Sequence, residues 1–306
     1  MEFCFLSLLS DTSAADTNRN PDTLYAVRDI TNNEKAMKRY IPILSIAGSD
    51  CSGGAGIQAD AKTISAIGCY AMSAITAVTA QNTTGVRSIQ GIKPEILTDQ
   101  IDMVFEDIRP LAVKTGMLYD RANVEATAEA LRRHEATNIV VDPVMVSTSG
   151  SLLIERDAIH SITRDLFPLA TLVTPNRDEA RELTGTDDPA EQARALHEMG
   201  CRNILLKGGD SDRTDMKIDY LSIEGDDELI TLTADVVNTR NTHGTGCTLS
   251  SAIATYLALD FDIVDAAMRG KLFVTRALQA GAHVTIGRGH GPVNHLFSPR
   301  HAKYIK

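Results

Sequence analysis

The chain has 306 residues, of which 43% are apolar, so it can form one large domain with a sizeable core or two ordinary domains. Its 30 basic and 40 acidic residues give a formal net charge of −10. An acidic chain lacks the basic face that nucleic acids and anionic membranes require, and no apolar run reaches the roughly 20 residues of a membrane span. Binding to either is therefore excluded as its main task.

Residues 1–36 are expected to form a disordered N-terminal extension. The first ten residues, MEFCFLSLLS, resemble a signal peptide poorly, because Glu2 is acidic and no positive segment precedes the short apolar run. The residues that follow are polar and show little periodicity, and Met37 is a candidate for the natural start. The five cysteines are widely spaced and form no CxxC pair, which favours reduced thiols in a cytoplasmic protein over disulfides or a zinc site.

From residue 41 onward, short apolar segments alternate with amphipathic ones. Strands are predicted at 41–48, 71–80, 111–115, 138–142, 171–174, 203–207, 217–223 and 228–233. Helices are predicted at 56–68, 94–108, 123–134, 155–165, 176–183, 190–199, 246–259 and 262–281. The run at 71–80 is continuously apolar, which predicts a strand covered on both faces. The last two strands flank EGDDE and predict a hairpin. The alternation as a whole predicts one α/β domain over 37–306, with a mostly parallel sheet and helices on both faces.

Polar residues follow several of the predicted strands at their carboxyl ends, which is where open α/β sheets bind ligands. They are Gln81, Asn82, Asp142, Asn176, Glu179 and Lys207. Each one alone is more often simply a cap or a turn residue. Together they supply carboxylates, amides and a lysine, the groups that bind a metal ion and phosphate.

The glycine-rich segment AGSDCSGGAGIQAD (47–60) follows the first strand and begins a helix. Within it, Gly54–Ala59 matches GxGxxA, but the glycines start about seven residues beyond the strand, and no acidic residue occurs from 61 to 94. A dinucleotide fingerprint is therefore rejected, and no P-loop motif occurs. The remaining interpretation is that the glycine-rich segment is a loop whose backbone can approach a small ligand closely. Asp60 either points inward beside the apolar stripe or is an exposed first-turn carboxylate.

A second glycine segment, NTHGTGCT (241–248), precedes the helix predicted at 246–259. Gly244 and Gly246 permit tight turns, and the free N–H groups of a helix start favour an anion. Cys247 lies in the first turn, where the thiolate form of cysteine is favoured. It is therefore a candidate base or nucleophile. It is equally a candidate for simple packing, since free cysteine is among the most buried residue types.

Eight segments in order resemble the hydroxymethylpyrimidine and phosphomethylpyrimidine kinases of thiamine biosynthesis, within the ribokinase-like superfamily. They are IAGSDCSGGAGIQAD, TAVTAQNTTGV, KTGML, VVDPVM, VTPNRDEA, LLKGG, NTHGTGCTLSSAIA and GRGHGPVNH, and the resemblance spans residues 41–297. It implies a ribokinase-like three-layer α/β/α domain, ATP and Mg²⁺ as cofactors, a cytoplasmic location and a homodimer.

The resemblance also implies a role for each site residue. The pyrimidine pocket would include Ala55, Asp60, Gln81, Met117 and Val144. Asp60 and Gln81 would hydrogen-bond the ring. Mg²⁺ and the ATP phosphates would be held by Asp142, Asn176, Glu179 and Lys207, with Asp142 and Glu179 as the metal ligands. The backbone anion hole would be formed by Gly244, Thr245 and Gly246. Cys247 would be the catalytic base, at a position where most of the superfamily has aspartate.

The activity implied is ATP-dependent phosphorylation of 4-amino-5-hydroxymethyl-2-methylpyrimidine, and then of its monophosphate to the diphosphate. Pyridoxal kinase is an alternative on the same fold, because pyridoxal also carries a hydroxymethyl group on a heteroaromatic ring. A non-catalytic pyrimidine-binding protein is an alternative of a different class. The set of Asp142, Glu179, Lys207 and GTGC argues against it, because a binding protein has no need of phosphate-handling residues.

Overall fold

The computed structural model describes residues 38–145, 156–208 and 215–305. From Arg39 onward, the described residues form one compact unit. The extension predicted at 1–36 and the candidate start at Met37 lie outside the described residues, so both stay predictions.

The described residues form eleven strands and eight α-helices. The strands are β1 (Arg39–Tyr40), β2 (Pro42–Asp50), β3 (Tyr70–Asn82), β4 (Gly85–Gly91), β5 (Ala112–Thr115), β6 (Ile139–Val141), β7 (Leu172–Val173), β8 (Asn203–Leu206), β9 (Met216–Ile223), β10 (Ile230–Asp235) and β11 (Tyr304–Ile305). The helices are α1 (Gly56–Ile67), α2 (Pro94–Asp107), α3 (Arg121–Arg133), α4 (Arg156–Ser161), α5 (Arg177–Thr184), α6 (Pro189–Glu198), α7 (Thr245–Ala258) and α8 (Ile263–Gly281). In the described part of the chain, none of the helices has the length and apolar character to cross a bilayer.

Nine strands form one sheet in the order β10-β9-β8-β7-β6-β5-β2-β3-β4. The strands from β8 to β3 in this order pair in parallel. At the two edges, β4 and the β9–β10 pair add antiparallel strands. The sheet is therefore mostly parallel, as predicted.

Alternate residues of the central strands face two separate cores. Leu44 and Val113 belong to one core, together with apolar residues of α2 and α3. Ile43 and Ala112 belong to the other, together with residues of α1, α7 and α8. Successive side chains of a strand point to opposite faces of a sheet, so the sheet is sandwiched between two helical layers. This confirms the three-layer α/β/α arrangement.

Side-chain caps mark the start of several helices. Asp120, Asp188 and Asp262 each accept a hydrogen bond from the backbone N–H three residues later, the usual N-cap geometry. In contrast, α7 begins after Gly244 without a side-chain cap. Its first N–H groups thus have no side-chain acceptor.

The predicted hairpin is confirmed, with Leu221 on β9 opposite Ile230 on β10. The helix predicted at 155–165 is α4 followed by a π-helical turn, Ile162–Leu166. Three short strands, β1, β4 and β11, were not predicted, because they lack an apolar run. The prediction that the strand at 71–80 is covered on both faces is wrong. β3 lies next to the edge strand β4, and its Val78 is 47% exposed.

Candidate active site

A cavity of about 1020 Å³ lies beyond the carboxyl ends of the parallel strands. Small-molecule sites typically measure about 300–1,000 Å³, so this volume has room for more than one small ligand. The predicted site residues in its wall are Ala55, Gln81, Met117, Asp142, Val144, Asn176, Glu179, Lys207, Gly244, Thr245, Gly246 and Cys247. Asp60 does not line it.

An ion pair between the buried Asp142 and the partly exposed Lys207 joins the ends of β6 and β8. Lys207 Nζ donates to Asp142 Oδ1 at 2.7 Å. The hydroxyls of Thr174 and Ser250 donate to the same carboxylate, each at 3.2 Å. Burial opposes ionisation of Asp142, but the positive charges of Lys207 and Lys114 hold its pKa below the usual value. Burial likewise opposes the charge on Lys207, yet Asp142 raises the pKa of this lysine. Both groups are therefore charged at neutral pH.

Glu179 is a second carboxylate of this wall. Its Oε2 accepts the backbone N–H of Asn176 at 2.8 Å, and Asn176 Oδ1 accepts the N–H of Glu179 at 2.9 Å. This capping box fixes both side chains at the start of α5, and the amide NH₂ group of Asn176 takes no part in it. Burial raises the pKa of Glu179 to about 7; Lys207 opposes this shift and Asp142 adds to it.

The NTHGTGCT segment forms a close turn into α7. Gly244 has a φ of +79°, in the left-handed region that favours glycine, and a Cβ at this position would overlap the carbonyl oxygen of Gly54. Thr245 Oγ1 donates to the carbonyl of Thr242 at 3.1 Å. A Cβ at Gly246 would lie 3.5 Å from Lys207 Nζ. The turn and the uncapped end of α7 therefore adjoin the ion pair, which makes this region suited to an anion.

Cys247 lies in the first turn of α7 with its side chain partly exposed. The sequence predicts that the helix start favours the thiolate, and the structure corrects this. Burial raises the pKa of Cys247 to about 11; Lys114 opposes the shift, whereas Asp60 and Asp142 add to it. At neutral pH the side chain is therefore a thiol. The effect of the helix start is outweighed by burial and by carboxylates from other elements.

Asp60 points inward, as one of the two sequence interpretations held, but it lies beneath the cavity wall. Lys114 Nζ donates to its two carboxylate oxygens at 3.0 and 2.9 Å. The hydroxyls of Ser45 and Ser251 donate to the same carboxylate, each at 2.5 Å. The expectation that Asp60 hydrogen-bonds the pyrimidine is therefore not met. Its carboxylate oxygens already accept hydrogen bonds from three side chains. Lys114, which does line the cavity, was not predicted beyond its place in KTGML.

Part of the cavity wall is apolar. Ala55, Met117 and Val144 line it, together with the amide-bearing Gln81. The Met117 side chain packs on Gly48, where a Cβ would lie 2.7 Å from Met117 Cε. The carbonyl of Met117 also accepts the N–H of Gly48 at 3.1 Å, which fixes the backbone. An apolar wall with few polar groups suits a small heteroaromatic ring.

Asp50 and His243 connect the two glycine segments, and neither was predicted as a site residue. Asp50 Oδ2 lies 2.8 Å from His243 Nε2 and accepts the N–H groups of Gly54 and Ala55 at 3.0 and 2.8 Å. Burial opposes ionisation, but the hydrogen bond with His243 and those from Ser52 hold the pKa of Asp50 well below its usual range. The sequence signal was the same as for the other site residues, a carboxylate near the end of a strand.

A further group of wall residues comes from β9, the end of β10 and α8. The apolar members are Val236, Val237, Val274 and Leu278. Beside them, Lys271 Nζ donates to Asp219 Oδ2 at 2.7 Å. The sequence did not predict these residues, because the prediction considered only residues that directly follow a parallel strand and precede a helix.

The carboxylates of the cavity wall are candidate metal ligands. Among residues 38–145, 156–208 and 215–305, no group of three or more His, Cys, Asp or Glu side chains is arranged to hold a metal ion. Asp142 and Glu179 supply two carboxylates. Mg²⁺ in nucleotide sites is commonly held by one or two carboxylates, waters and the substrate phosphates. The donor set therefore fits an ion that arrives with a nucleotide and does not fit a permanently bound metal.

A sequence profile of the family described as phosphomethylpyrimidine kinase matches residues 50–294. The chain belongs to this kinase family. The matched span contains every predicted site residue as well as Asp50, Lys114 and His243. The fold, the cavity and the family assignment thus agree on a phosphotransferase.

Two curated relatives are similar over most of the chain. The hydroxymethylpyrimidine/phosphomethylpyrimidine kinase of Rhizobium meliloti (strain 1021) is 46% identical over 262 residues, which cover 83% of this chain and 96% of that protein. The thiamine biosynthesis bifunctional protein ThiED of Geobacter sulfurreducens is 43% identical over 289 residues, or 91% of this chain. The match spans 57% of that longer protein.

Two solved structures share the fold. The phosphomethylpyrimidine kinase of Clostridium difficile 630 has 42% identity and a TM-score of 0.68, covering 78% of this chain and 99% of that one. The pyridoxal kinase of Staphylococcus aureus, in complex with AMP-PCP and pyridoxal, has 30% identity and a TM-score of 0.76, covering 84% and 94%.

Proposed function

We propose that this kinase transfers the γ-phosphoryl group of ATP to the hydroxymethyl group of 4-amino-5-hydroxymethyl-2-methylpyrimidine, and then phosphorylates the monophosphate to the diphosphate for thiamine biosynthesis. The observation that carries the proposal is the charged Lys207–Asp142 pair beside the uncapped turn Gly244–Gly246. This combination is suited to phosphate, and the same cavity has apolar wall residues that suit a pyrimidine. The names of the relatives support the choice of substrate.

In this proposal the two ligands occupy different parts of the cavity. The pyrimidine contacts Met117 and Val144, beside Ala55, and Gln81 orients it by hydrogen bonding. The nucleotide base contacts the apolar residues from β10 and α8. The phosphates then lie between them, at the turn into α7 and against Lys207 and Asn176. Holding both reactants in line supplies a large part of the rate enhancement.

The charge that develops on the transferred group is stabilised by Lys207 and by the backbone N–H groups around Gly244, Thr245 and Gly246. Mg²⁺, when bound with the nucleotide through Asp142 and Glu179, would offset charge on the phosphate oxygens. The capping box keeps Glu179 in place for this role.

We propose that Cys247 contacts the acceptor oxygen and that its thiolate form takes up the proton of the hydroxymethyl group, becoming the thiol. With a pKa of about 11, roughly one Cys247 side chain in ten thousand is a thiolate at pH 7 in the ligand-free protein. Help from a base is needed for the hydroxymethyl group, which is neutral. It is not needed for the monophosphate, which is already an anion at neutral pH. The role of Cys247 is therefore confined to the first phosphorylation.

A substrate panel with MgATP tests the proposal. The pyrimidine alcohol and its monophosphate should both be phosphorylated, with chelation of the divalent ion abolishing turnover. Failure to phosphorylate the alcohol would refute it. Calorimetry that detects pyrimidine binding without any ATP turnover would instead support the non-catalytic binding protein.

Pyridoxal kinase is a second candidate, because a pyridoxal kinase in complex with pyridoxal is a structural neighbour with a TM-score of 0.76. The ratio of kcat/KM for the pyrimidine alcohol and for pyridoxal decides between the two. We expect this ratio to favour the pyrimidine, in line with the 46% identity to a relative named for it.

We also propose a cytoplasmic homodimer. Cys51, Cys69, Cys201 and Cys247 are free thiols, which agrees with a reducing compartment. Light scattering of the purified protein gives the oligomeric state.

A further inference from the structure

We propose that Asp219 is a positioning residue, which sets the orientation of Lys207 through the backbone of Gly208. The inference rests on the proposed function, because it takes Lys207 as the lysine that contacts the transferred phosphate. Asp219 lies on β9 and is 6% exposed. Its two oxygens have different partners: Oδ1 accepts the N–H of Gly208 at 2.8 Å, and Oδ2 accepts Lys271 Nζ at 2.7 Å.

The side chain of Asp219 acts where the strand pairing stops. The last pair between β8 and β9 joins Leu206 to Tyr220. One step further in this register, Asp219 would lie opposite Lys207. Instead, the carboxylate of Asp219 accepts the N–H of Gly208, the residue that follows Lys207. A side-chain hydrogen bond thus continues the connection between the two strands.

Lys207 is held from its other side by the segment that follows β7. Its N–H donates to the carbonyl of Pro175 at 2.9 Å, and it forms a bridge with Asn176. Gly208 has a φ of +65°, and a Cβ there would meet nothing within 4 Å. The glycine is therefore required by the turn of the backbone and not by lack of space. Among the described residues, Asp219 is the side chain that accepts the N–H of Gly208, and this hydrogen bond fixes the backbone of the turn.

Lys271 makes this arrangement compatible with a phosphate site. An unpaired carboxylate in this position would repel a phosphate and compete for Lys207. Lys271 neutralises Asp219 from α8, so the carboxylate can hold the Gly208 N–H without adding net charge to the cavity. The competing explanation is that the pair only fastens α8 to the sheet and thereby stabilises the fold.

Two double variants separate these explanations. Asp219→Asn/Lys271→Met removes both charges but keeps an oxygen that can accept the Gly208 N–H. Asp219→Leu/Lys271→Met removes the charges and the acceptor while keeping a side chain of similar size. Both lose the connection to α8, so a purely structural role predicts equal behaviour. The comparison isolates one hydrogen bond.

We expect the Asn/Met variant to keep kcat and the KM for MgATP within about threefold of wild type. In the Leu/Met variant, kcat/KM for MgATP should fall at least about 30-fold, because a displacement of about 1 Å at a reacting group can cost about a hundredfold. The KM for the pyrimidine should change by less than about threefold in both. The affinity for MgAMP-PCP, measured by calorimetry, should weaken only in the Leu/Met variant, which gives a readout that does not need turnover.

Equal kinetics and equal AMP-PCP affinity in the two variants would overturn the inference. A loss of kcat/KM for MgATP above about tenfold in a folded Asn/Met variant would also overturn it, because that variant keeps the acceptor for the Gly208 N–H. This outcome decides the question even if the Leu/Met variant does not fold. If wild type phosphorylates no pyrimidine, the proposed function fails, whereas the AMP-PCP comparison still reports on Asp219.

Discussion

His243 Nε2 lies 2.8 Å from Asp50 Oδ2, so one buried carboxylate joins the turn into α7 to the glycine-rich loop that precedes α1. The same oxygen accepts the N–H groups of Gly54 and Ala55. In the proposed function the glycine-rich loop serves the pyrimidine and the turn serves the phosphates. Asp50 therefore holds in register the two segments that contact the two substrates.

Asp50→Asn should affect both substrates at once. The amide oxygen of asparagine would still accept hydrogen bonds. Its NH₂ group, however, would face N–H or O–H donors that now bond to the second carboxylate oxygen of Asp50. We expect a loss of about 1–3 kcal/mol in the free energy of unfolding and a higher KM for both ATP and the pyrimidine. Denaturant unfolding and steady-state kinetics measure these effects. Asp102→Asn, at a partly exposed ion pair, is the control and should cost at most about 1 kcal/mol. A change in only one KM would contradict the shared role.

Gly244→Ala should be far more harmful than the same change at Gly185. The two glycines have nearly the same φ, +79° and +76°. A Cβ at Gly185 meets nothing within 4 Å, whereas one at Gly244 overlaps the carbonyl of Gly54. We expect about 1 kcal/mol of destabilisation at Gly185 with normal activity, and at Gly244 a loss of kcat of about a hundredfold or more. Equal activities in the two variants would show that the close contact between the glycine segments has no catalytic importance.

Cys247→Ala should separate the two phosphorylation steps. If Cys247 assists deprotonation, kcat for the pyrimidine alcohol should fall about 10²–10⁴-fold, whereas kcat for the monophosphate should change by less than about tenfold. Rapid-quench or coupled assays with each acceptor measure this. Cys201→Ala, which removes a buried thiol from the other core, is the control. If both steps lose the same activity, Cys247 serves packing or general positioning rather than proton transfer.

His295 should make the protein less stable as the pH falls. It is 4% exposed, its Nε2 lies 3.1 Å from Thr248 Oγ1, and burial lowers its pKa to about 4. Below about pH 6.5 the unfolded chain binds a proton that the folded chain does not bind, so the free energy of unfolding falls until about pH 4. The free energy of unfolding of the wild type should fall relative to that of His295→Gln by up to about 3 kcal/mol between pH 7 and pH 4. Denaturant titrations at both pH values check this, and a constant difference would contradict it.

Much of the fold is predictable because its signals are local. The apolar runs and the 3.6-residue periodicity of the helices predict the strands and helices of the central sheet in their observed order. The strand-end rule then brings residues such as Asp142, Asn176 and Lys207 to one edge. The edge strand β4 escapes prediction because its sequence, GVRSIQG, has no apolar run.

The sequence by itself determined the order of the elements and the residue types gathered at the carboxyl edge of the sheet, because periodicity and strand-end position are local properties. Only the tertiary structure decided what each side chain does there. It pairs Asp60 with Lys114, 54 residues away, and so removes Asp60 from the cavity wall. It places Cys247 in a desolvated position near the carboxylates of Asp60 and Asp142, and both effects keep the thiol protonated. Hydrogen bonding and electrostatic environment depend on residues distant in the chain, and local sequence does not contain their distances.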